Sequence, residues 1–367
     1  MVTYIAEWNK ENEEKTWSGT TFALYNALLK KTEAVRVDAN YDLLTRLLAK
    51  TLTMKNRFIE NKKHNKANFD VDLWKIKRRF NSLKKVVDDN QNVIQIGDFS
   101  PILKSVIYQD LSFSVLKNFK EDDILTFNLS GFQDMPEGFF RERMLLQEKV
   151  YESSQGIACM SHWLMNDLQL TEGDKAFYAG AGINTPVISA KKRNRHQILF
   201  VGRDFKRKGG DVLVEAFKVI KREIKDASLI LAGPNDLPEE IIRVNGIQAV
   251  GEISSQKTGD LMSQSAVMAL PSHFEAFGLS FVEALSNGTP IIGRDKFEMP
   301  LFVRQGAGMI LASSPDFDTE VRQLSQLLRQ LLLDDRYLNE ADAKKEKIQN
   351  YYNWNTVADR ILQFFYS

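Results

Sequence analysis

Two glutamates, Glu275 and Glu283, stand eight residues apart around FGLS in the stretch PSHFEAFGLSFVEALSNGTPII (271–292). An apolar run ends at Pro271, the loop SHFEAFG follows, and helix-spaced apolar residues begin near Leu279. The unpaired backbone N–H groups of Gly278, Leu279 and Ser280 are then offered beyond the carboxyl end of a strand, where open α/β sheets bind ligands. A helix N-terminus attracts phosphate through those donors and its dipole, and a glycine at 278 allows close approach. Phe277, Gly278 and Leu279 therefore read as a phosphate cradle. Glu283, one turn inside the helix, is placed to accept hydrogen bonds from a ribose diol, and Glu275 in the loop is free to reach a sugar. On an ordinary strand-to-helix unit the same two residues would serve equally as solvent-facing acids.

A second cluster follows an earlier apolar run. After ILFVG comes RDFKRKGG, with Arg203 directly behind the run and Lys208 five residues on, ahead of glycines that permit a tight turn. Two cations at the mouth of a sheet suit a diphosphate, whose charges they neutralise; singly, they also fit a solvated loop. Together with the helix N-terminus and Glu283, they make a nucleotide-diphosphate site.

Such a site needs a sheet behind it. In the C-terminal half, short β-branched runs (197–202, 228–233, 247–251, 266–271, 290–293) alternate with helical patterns (210–224, 255–263, 279–287), the signature of a parallel sheet. The N-terminal half repeats the alternation with strands at 2–6, 34–38, 92–97, 105–111, 156–160 and 176–183, and helices at 21–31 and near 139–154. A chain of 367 residues, 43% hydrophobic, suits two domains of ordinary size. The expected division is an N-terminal Rossmann-like domain over 1–185, a charged linker over 186–196, a second Rossmann-like domain over 197–350, and a terminal amphipathic helix over 351–367 that packs back toward the first domain.

Lysine plus arginine (49) nearly cancels aspartate plus glutamate (48), so the whole chain is no polycation built for nucleic acid. The single cysteine, Cys159, lies in the apolar GIACM and reads as a small buried hydrophobe in a reducing compartment. No leader-like or membrane-spanning run is seen, which suggests a cytoplasmic protein, with a peripheral place on the inner face of the membrane as an option. No Asp-x-Asp or spaced histidine cluster suggests a metal, and no G-x-G-x-x-G suggests a dehydrogenase.

The segments ILFVGRDFKRKGGDVLVEAF, LILAGP, PSHFEAFGLSFVEALSNGTPII and YNWNTVADRIL together resemble the retaining glycosyltransferases of family 4, which have the GT-B fold. The N-terminal half matches only in its order of elements and in SHWLMNDL followed by AGAGINTP. The resemblance implies two Rossmann-like domains facing across a cleft and a metal-independent hexosyltransferase that takes a nucleotide-diphosphate sugar as co-substrate, UDP-linked in preference to GDP-linked, with no cofactor. It implies that Glu275 touches the donor sugar, Glu283 the ribose, and Arg203 and Lys208 the diphosphate. A sugar-nucleotide epimerase or a non-catalytic partner of the same fold is the alternative.

The N-terminal half departs from that family in two places. Where two glycines commonly follow the first strand, this chain has KTWSGTTFAL, leaving Gly19 to meet the phosphate. Where a catalytic histidine commonly ends a later strand, it has VIYQDLSFS, so Asp110, Gln109 or Tyr108 takes the position; Asp110 would serve equally as a helix cap. Between Lys55 and Lys85, eleven lysines and arginines face three acids, with Phe58, Phe69, Trp74 and Phe80 interleaved. That composition suits an anionic membrane surface or a solvated helical face. The expected partners are the donor and a saccharide, lipid-linked or protein acceptor, and not nucleic acid.

Overall fold

A computed structural model describes residues 1–58, 64–87, 91–188 and 192–366. The chain divides into two compact units, Met1–Ala181 joined by Trp354–Ser367, and Gly182–Asn353.

The first unit is built on six parallel strands, β1 (Val2–Ala6), β2 (Ala34–Asp38), β3 (Asn92–Ile96), β4 (Ser105–Gln109), β5 (Gly156–Cys159) and β6 (Ala176–Tyr178), in the order β2-β1-β3-β4-β5-β6. The central strands VTYIA, SVIYQ and GIAC are buried along their whole length, as strands covered on both faces must be, whereas β2 at the edge is half-buried to exposed throughout. Cys159 is fully buried beside Val115, Leu164 and Leu168, and burial pushes its thiol up to about 12. Helices α1 (Thr20–Leu29), α2 (Leu43–Phe58) and α3 (His64–Leu83) follow β1 and β2.

The second unit carries β7 (Asn194–Val201), β8 (Ser228–Ala232), β9 (Ile247–Gly251), β10 (Ser265–Ala269), β11 (Ile291–Arg294) and β12 (Gly308–Leu311), again all parallel, in the order β12-β11-β10-β7-β8-β9. From β7 the chain steps outward through β8 to β9 and then crosses to β10 on the other side. The strand order thus reverses between β7 and β10, the place where such sheets open a ligand crevice. In the first unit the same reversal lies between β1 and β3.

One boundary differs from the sequence reading. Strand β7 begins at Asn194, inside the stretch read as a linker, and Asn194 pairs with Ser265. The charge there is structural: Arg193 donates to the Asn287 and Gly288 carbonyls, both at 2.8 Å, at the C-terminal end of the helix Leu279–Ser286, and to Thr289 Oγ1 at 2.9 Å. A cation on the orphan carbonyls of a helix end is favourable. The terminal helix Trp354–Tyr366 belongs to the first unit, where Phe364 stacks on Phe177 at 4.3 Å and Arg360 donates to the Ala179 carbonyl at 2.9 Å.

Candidate functional site

In the second unit both chemical clusters fall on the reversal point. The loop after β7 carries Arg203, Arg207 and Lys208, and the loop after β10 carries Ser272, Glu275 and Gly278. Lys208 Nζ lies 2.6 Å from Glu275 Oε1, and Ser272 Oγ donates to the same oxygen at 3.0 Å. Arg207 Nη1 stands 3.8 Å from Glu275 Oε2 while donating to the Phe274 carbonyl at 2.7 Å. The two loops are also joined by the His273 N–H, which donates to the Arg207 carbonyl at 2.9 Å. Burial acts to raise the Glu275 carboxyl, but the Lys208 and Arg207 charges and the hydrogen bonds from Lys208 and Ser272 outweigh it, leaving the group below the usual glutamate range.

Glycines make room for this arrangement. A Cβ on Gly202 would sit 2.0 Å from Lys208 Cδ, so the lysine stem runs across the end of β7 only because that residue is bare. Gly278 takes a φ of 104° as N-cap of the helix Leu279–Ser286, and no side chain caps that end. The donors of the first turn, at Leu279 and Ser280, are left for a ligand.

Behind the site, Arg294 is 2% exposed and donates to the Pro271 carbonyl from Nε at 3.2 Å and Nη2 at 3.1 Å, while pairing with Glu320 at 3.0 Å. This pins the end of β10 from which Glu275 departs.

Not every expected residue converges. Arg203 is exposed and turned toward Glu252, 3.0 Å away at the end of β9, rather than toward Lys208. Glu283 is 7% exposed and its Oε1 accepts from the N–H groups of Asn184 at 3.2 Å and Thr185 at 3.1 Å. Burial raises its carboxyl against those hydrogen bonds. The solvent-facing alternative fails for Glu275 and Glu283 alike. The Phe277 ring is buried against Phe302 at 5.3 Å and Tyr352 at 6.2 Å, so toward a ligand it presents backbone only. Sequence reasoning missed Arg207, although the KRK triplet marked it, and Glu252 and Ser272, which carry no local signal.

The first unit holds a cavity of about 420 Å³ at the carboxyl ends of β1, β3 and β4, lined by Glu7, Trp17, Asp98, Asp110, Phe113 and Gln147 among others, with no lysine or arginine among the described residues that line it. Asp98 is fixed by Arg143 at 3.0 and 3.1 Å and by Gln147 at 3.2 Å. Asp110 lies half-buried in the wall, its carboxyl raised by burial to about 6 against a hydrogen bond from its own backbone N–H. It does not cap the next helix: Ser112 does, accepting from the Val115 N–H at 3.2 Å. Tyr108 and Gln109 are committed elsewhere, to the Gly180 carbonyl at 2.8 Å and the Tyr151 hydroxyl at 2.5 Å. Gly19 caps α1 with a φ of 90°, preceded by Trp17 and Ser18 in the same left-handed region. Three successive left-handed residues, one a tryptophan, constitute strain of the kind that gathers at functional loops.

The basic segment is only partly described. Lys62 and Lys63 lie outside the described residues. On α3, Lys75 pairs with Asp72 at 2.5 Å, Lys77 with Glu142 at 2.6 Å and Arg79 with Glu7, while Arg78 donates to Thr45 Oγ1 at 2.8 Å. Phe69 packs against Phe139, the tilted rings 5.2 Å apart. Among the described residues no helix is long and apolar enough to cross a membrane.

Known glycosyltransferases resemble this chain in sequence and fold. Residues 184–349 match the family model "Glycosyl transferases group 1". The phosphatidyl-myo-inositol mannosyltransferase of Mycobacterium leprae is 28% identical over 190 residues, 50% of this chain and 49% of that protein, so the chain spans about half the length of the curated relative it matches. Among solved structures, WaaG, a glycosyltransferase involved in lipopolysaccharide biosynthesis, superposes with a TM-score of 0.66 over 98% of this chain and 99% of its own at 14% identity. The pneumococcal O-GlcNAc transferase GtfA, solved with UDP and GlcNAc, gives 0.57 over 81% of this chain and 61% of its own at 15% identity. The fold is therefore GT-B, and within it residues 184–349 match the glycosyl transferases group 1 model.

Proposed function

We propose that the protein is a glycosyltransferase that moves a hexose from a nucleotide-diphosphate sugar to an acceptor hydroxyl with retention of configuration and without a metal. The observation that carries this reading is the buried Lys208–Glu275 pair at the reversal point of the second sheet, beside an uncapped helix N-terminus. Breaking the bond between the anomeric carbon and the diphosphate oxygen leaves negative charge on the phosphate. Preorganised cations and N–H donors aimed there lower the barrier. Lys208 and the first-turn donors of the helix Leu279–Ser286 take that role, Arg203 joins them on leaving Glu252, and Glu275 holds Lys208 while reaching the sugar. Exposed ion pairs are worth little, so a diphosphate would compete readily with Glu252 for Arg203. In the retaining step, the acceptor oxygen bonds the anomeric carbon from the face the phosphate leaves, and its proton passes to a phosphate oxygen.

A UDP-sugar is the favoured donor, supported by the UDP bound in the structural neighbour. The cavity of the first unit, with fixed Asp98, Asp110 and aromatic walls, is the place for the acceptor. The names of the relatives favour an acceptor in glycolipid or lipopolysaccharide assembly, and the proposal sets the enzyme on the cytoplasmic side of an anionic membrane. The test is nucleoside-diphosphate release from a panel of nucleotide sugars, with and without a chelator. Release that survives chelation and is lost in Lys208→Ala supports the reading; no release from any sugar, or activity restored only by manganese or magnesium, overturns the corresponding part.

A further inference from the structure

We propose that α2 is the surface through which the protein sits on an anionic lipid bilayer, a reading that rests on the glycosyltransferase assignment only for the idea of a lipid-linked acceptor. The helix is turned the opposite way from a usual surface helix, which buries its apolar stripe. Its inward residues are small or polar: Thr45, Ala49 and Asn56 are buried, and Thr45 Oγ1 accepts from Arg78 Nε at 2.8 Å. Its leucines face out. Leu43 is 65% exposed, Leu44 56%, Leu47 52%, Leu48 40% and Met54 61%. At about 100° per residue, Leu43, Leu47 and Met54 fall in one line and Leu44 and Leu48 beside it, with Arg46 and Lys50 along one flank and Lys55 in line with Leu44 and Leu48 toward the helix's C-terminal end.

The charge pattern selects the occupant. The sixteen residues Leu43–Phe58 include Arg46, Lys50, Lys55 and Arg57 and no acid. Asp42, just before the helix, accepts from the Thr45 N–H at 2.5 Å. An exposed leucine ridge edged by cations matches the boundary of an anionic bilayer, where apolar insertion and headgroup attraction act together. A second copy of the chain fits poorly, because a two-fold contact on this ridge would set cation against cation. The basic segment's other helix, α3, is less suited, since Lys75, Lys77 and Arg79 are already neutralised by acids of the same chain.

Flotation with vesicles of phosphatidylcholine, alone or with about a third phosphatidylglycerol, tests the proposal. The whole protein should float only with the anionic vesicles, and the bound fraction should fall at least about tenfold as salt rises from about 0.05 to about 0.5 M. Leu43→Ser/Leu47→Ser/Met54→Ser and Arg46→Glu/Lys50→Glu should each lower binding at least about tenfold, while Lys84→Glu/Lys85→Glu changes it less than about twofold. Unchanged far-ultraviolet circular dichroism establishes that the variants fold. No flotation of the unmodified protein at low salt overturns the proposal. So does full binding by the leucine variant, an equal loss in the Lys84/Lys85 variant, or a solution dimer that the leucine variant makes monomeric, which would assign the ridge to a second copy. Flotation without turnover of any nucleotide sugar would sink the enzymatic reading and leave the docking surface standing; turnover without flotation would do the reverse.

Discussion

Lys208 and Glu275 form an ion pair 2.6 Å long in which the two side chains are only 10% and 8% exposed, and each comes from a different loop at the point where the second sheet reverses its order. A buried pair of this kind stabilises little in net terms, because desolvation offsets attraction, yet losing one member strands the other.

Lys208→Met and Glu275→Gln should therefore each reduce turnover of the donor by at least about a hundredfold, and the double variant should be little worse than either single one, since the two act as a unit. Lys208→Met, which leaves the buried carboxylate only Arg207 at 3.8 Å and the Ser272 hydroxyl, should also cost about 2–3 kcal/mol of stability, and Glu275→Gln, which keeps an acceptor oxygen for Lys208, less. Steady-state kinetics and urea unfolding measure both. Additive rate losses would show that the two residues do not share one task.

Glu283 should separate binding from folding. Glu283→Ala removes the acceptor of the Asn184 and Thr185 N–H groups, at a cost of about 1–3 kcal/mol, and should raise the Michaelis constant for the donor more than it lowers the maximal rate. Glu283→Gln keeps an acceptor oxygen and should recover most of the stability. An unaltered Michaelis constant in the alanine variant would remove the ribose contact from the proposal.

Asp110 predicts a pH dependence with a definite sign. Its carboxyl is raised to about 6 in the fold, so between its unfolded value near about 4 and that point the native state holds a proton the unfolded state has lost. Its contribution to stability is full below that window and is lost as pH rises through about 6. Asp110→Asn should flatten this part of the profile and make the protein more stable than the parent at neutral pH, by about 1 kcal/mol once solvent at the cavity mouth is allowed for. Urea unfolding at acid and neutral pH decides it. A loss of acceptor transfer with retained donor hydrolysis would identify Asp110 with the acceptor step.

Glu320→Ala leaves the Arg294 guanidinium buried without its partner and should destabilise by about 3–5 kcal/mol, whereas Arg294→Met with Glu320→Leu should recover much of that. Recovery of stability without recovery of turnover would mark the pair as positioning Pro271, and through it Glu275.

What the sequence revealed of this site followed from local rules. The crevice residues Gly278, Leu279 and Glu275 were legible because an apolar run, a loop glycine and helix-spaced residues meet within one stretch. Both sheets were legible because buried parallel strands are continuous apolar runs, save β12, whose four edge residues, all but Leu311 half-buried, carry too little of that signal. Contacts set by strand order were not: Glu252 reaches Arg203 only because β9 lies on the same side of β7 as β8, and neither residue announces the other. Orientation was equally hidden. Phe277 reads the same whether its ring lines a crevice or joins Phe302, and the periodicity of α2 shows a stripe of leucines without showing which way it faces. Asp110 was read as a possible cap because aspartate caps helices well, but Ser112, two residues on, took the position.

The buried thiol of Cys159 has a practical consequence. Thiol reagents attack the thiolate, and with a value of about 12 only about one molecule in a hundred thousand carries it at neutral pH, in a site closed to the reagent. As Cys159 is the one cysteine of these 367 residues, they are already a silent background for labelling. A single cysteine placed at Leu47 or Asp110 would carry a fluorophore or spin label without prior removal of Cys159, so the leucine ridge of α2 and the cavity of the first unit are each open to direct spectroscopic observation.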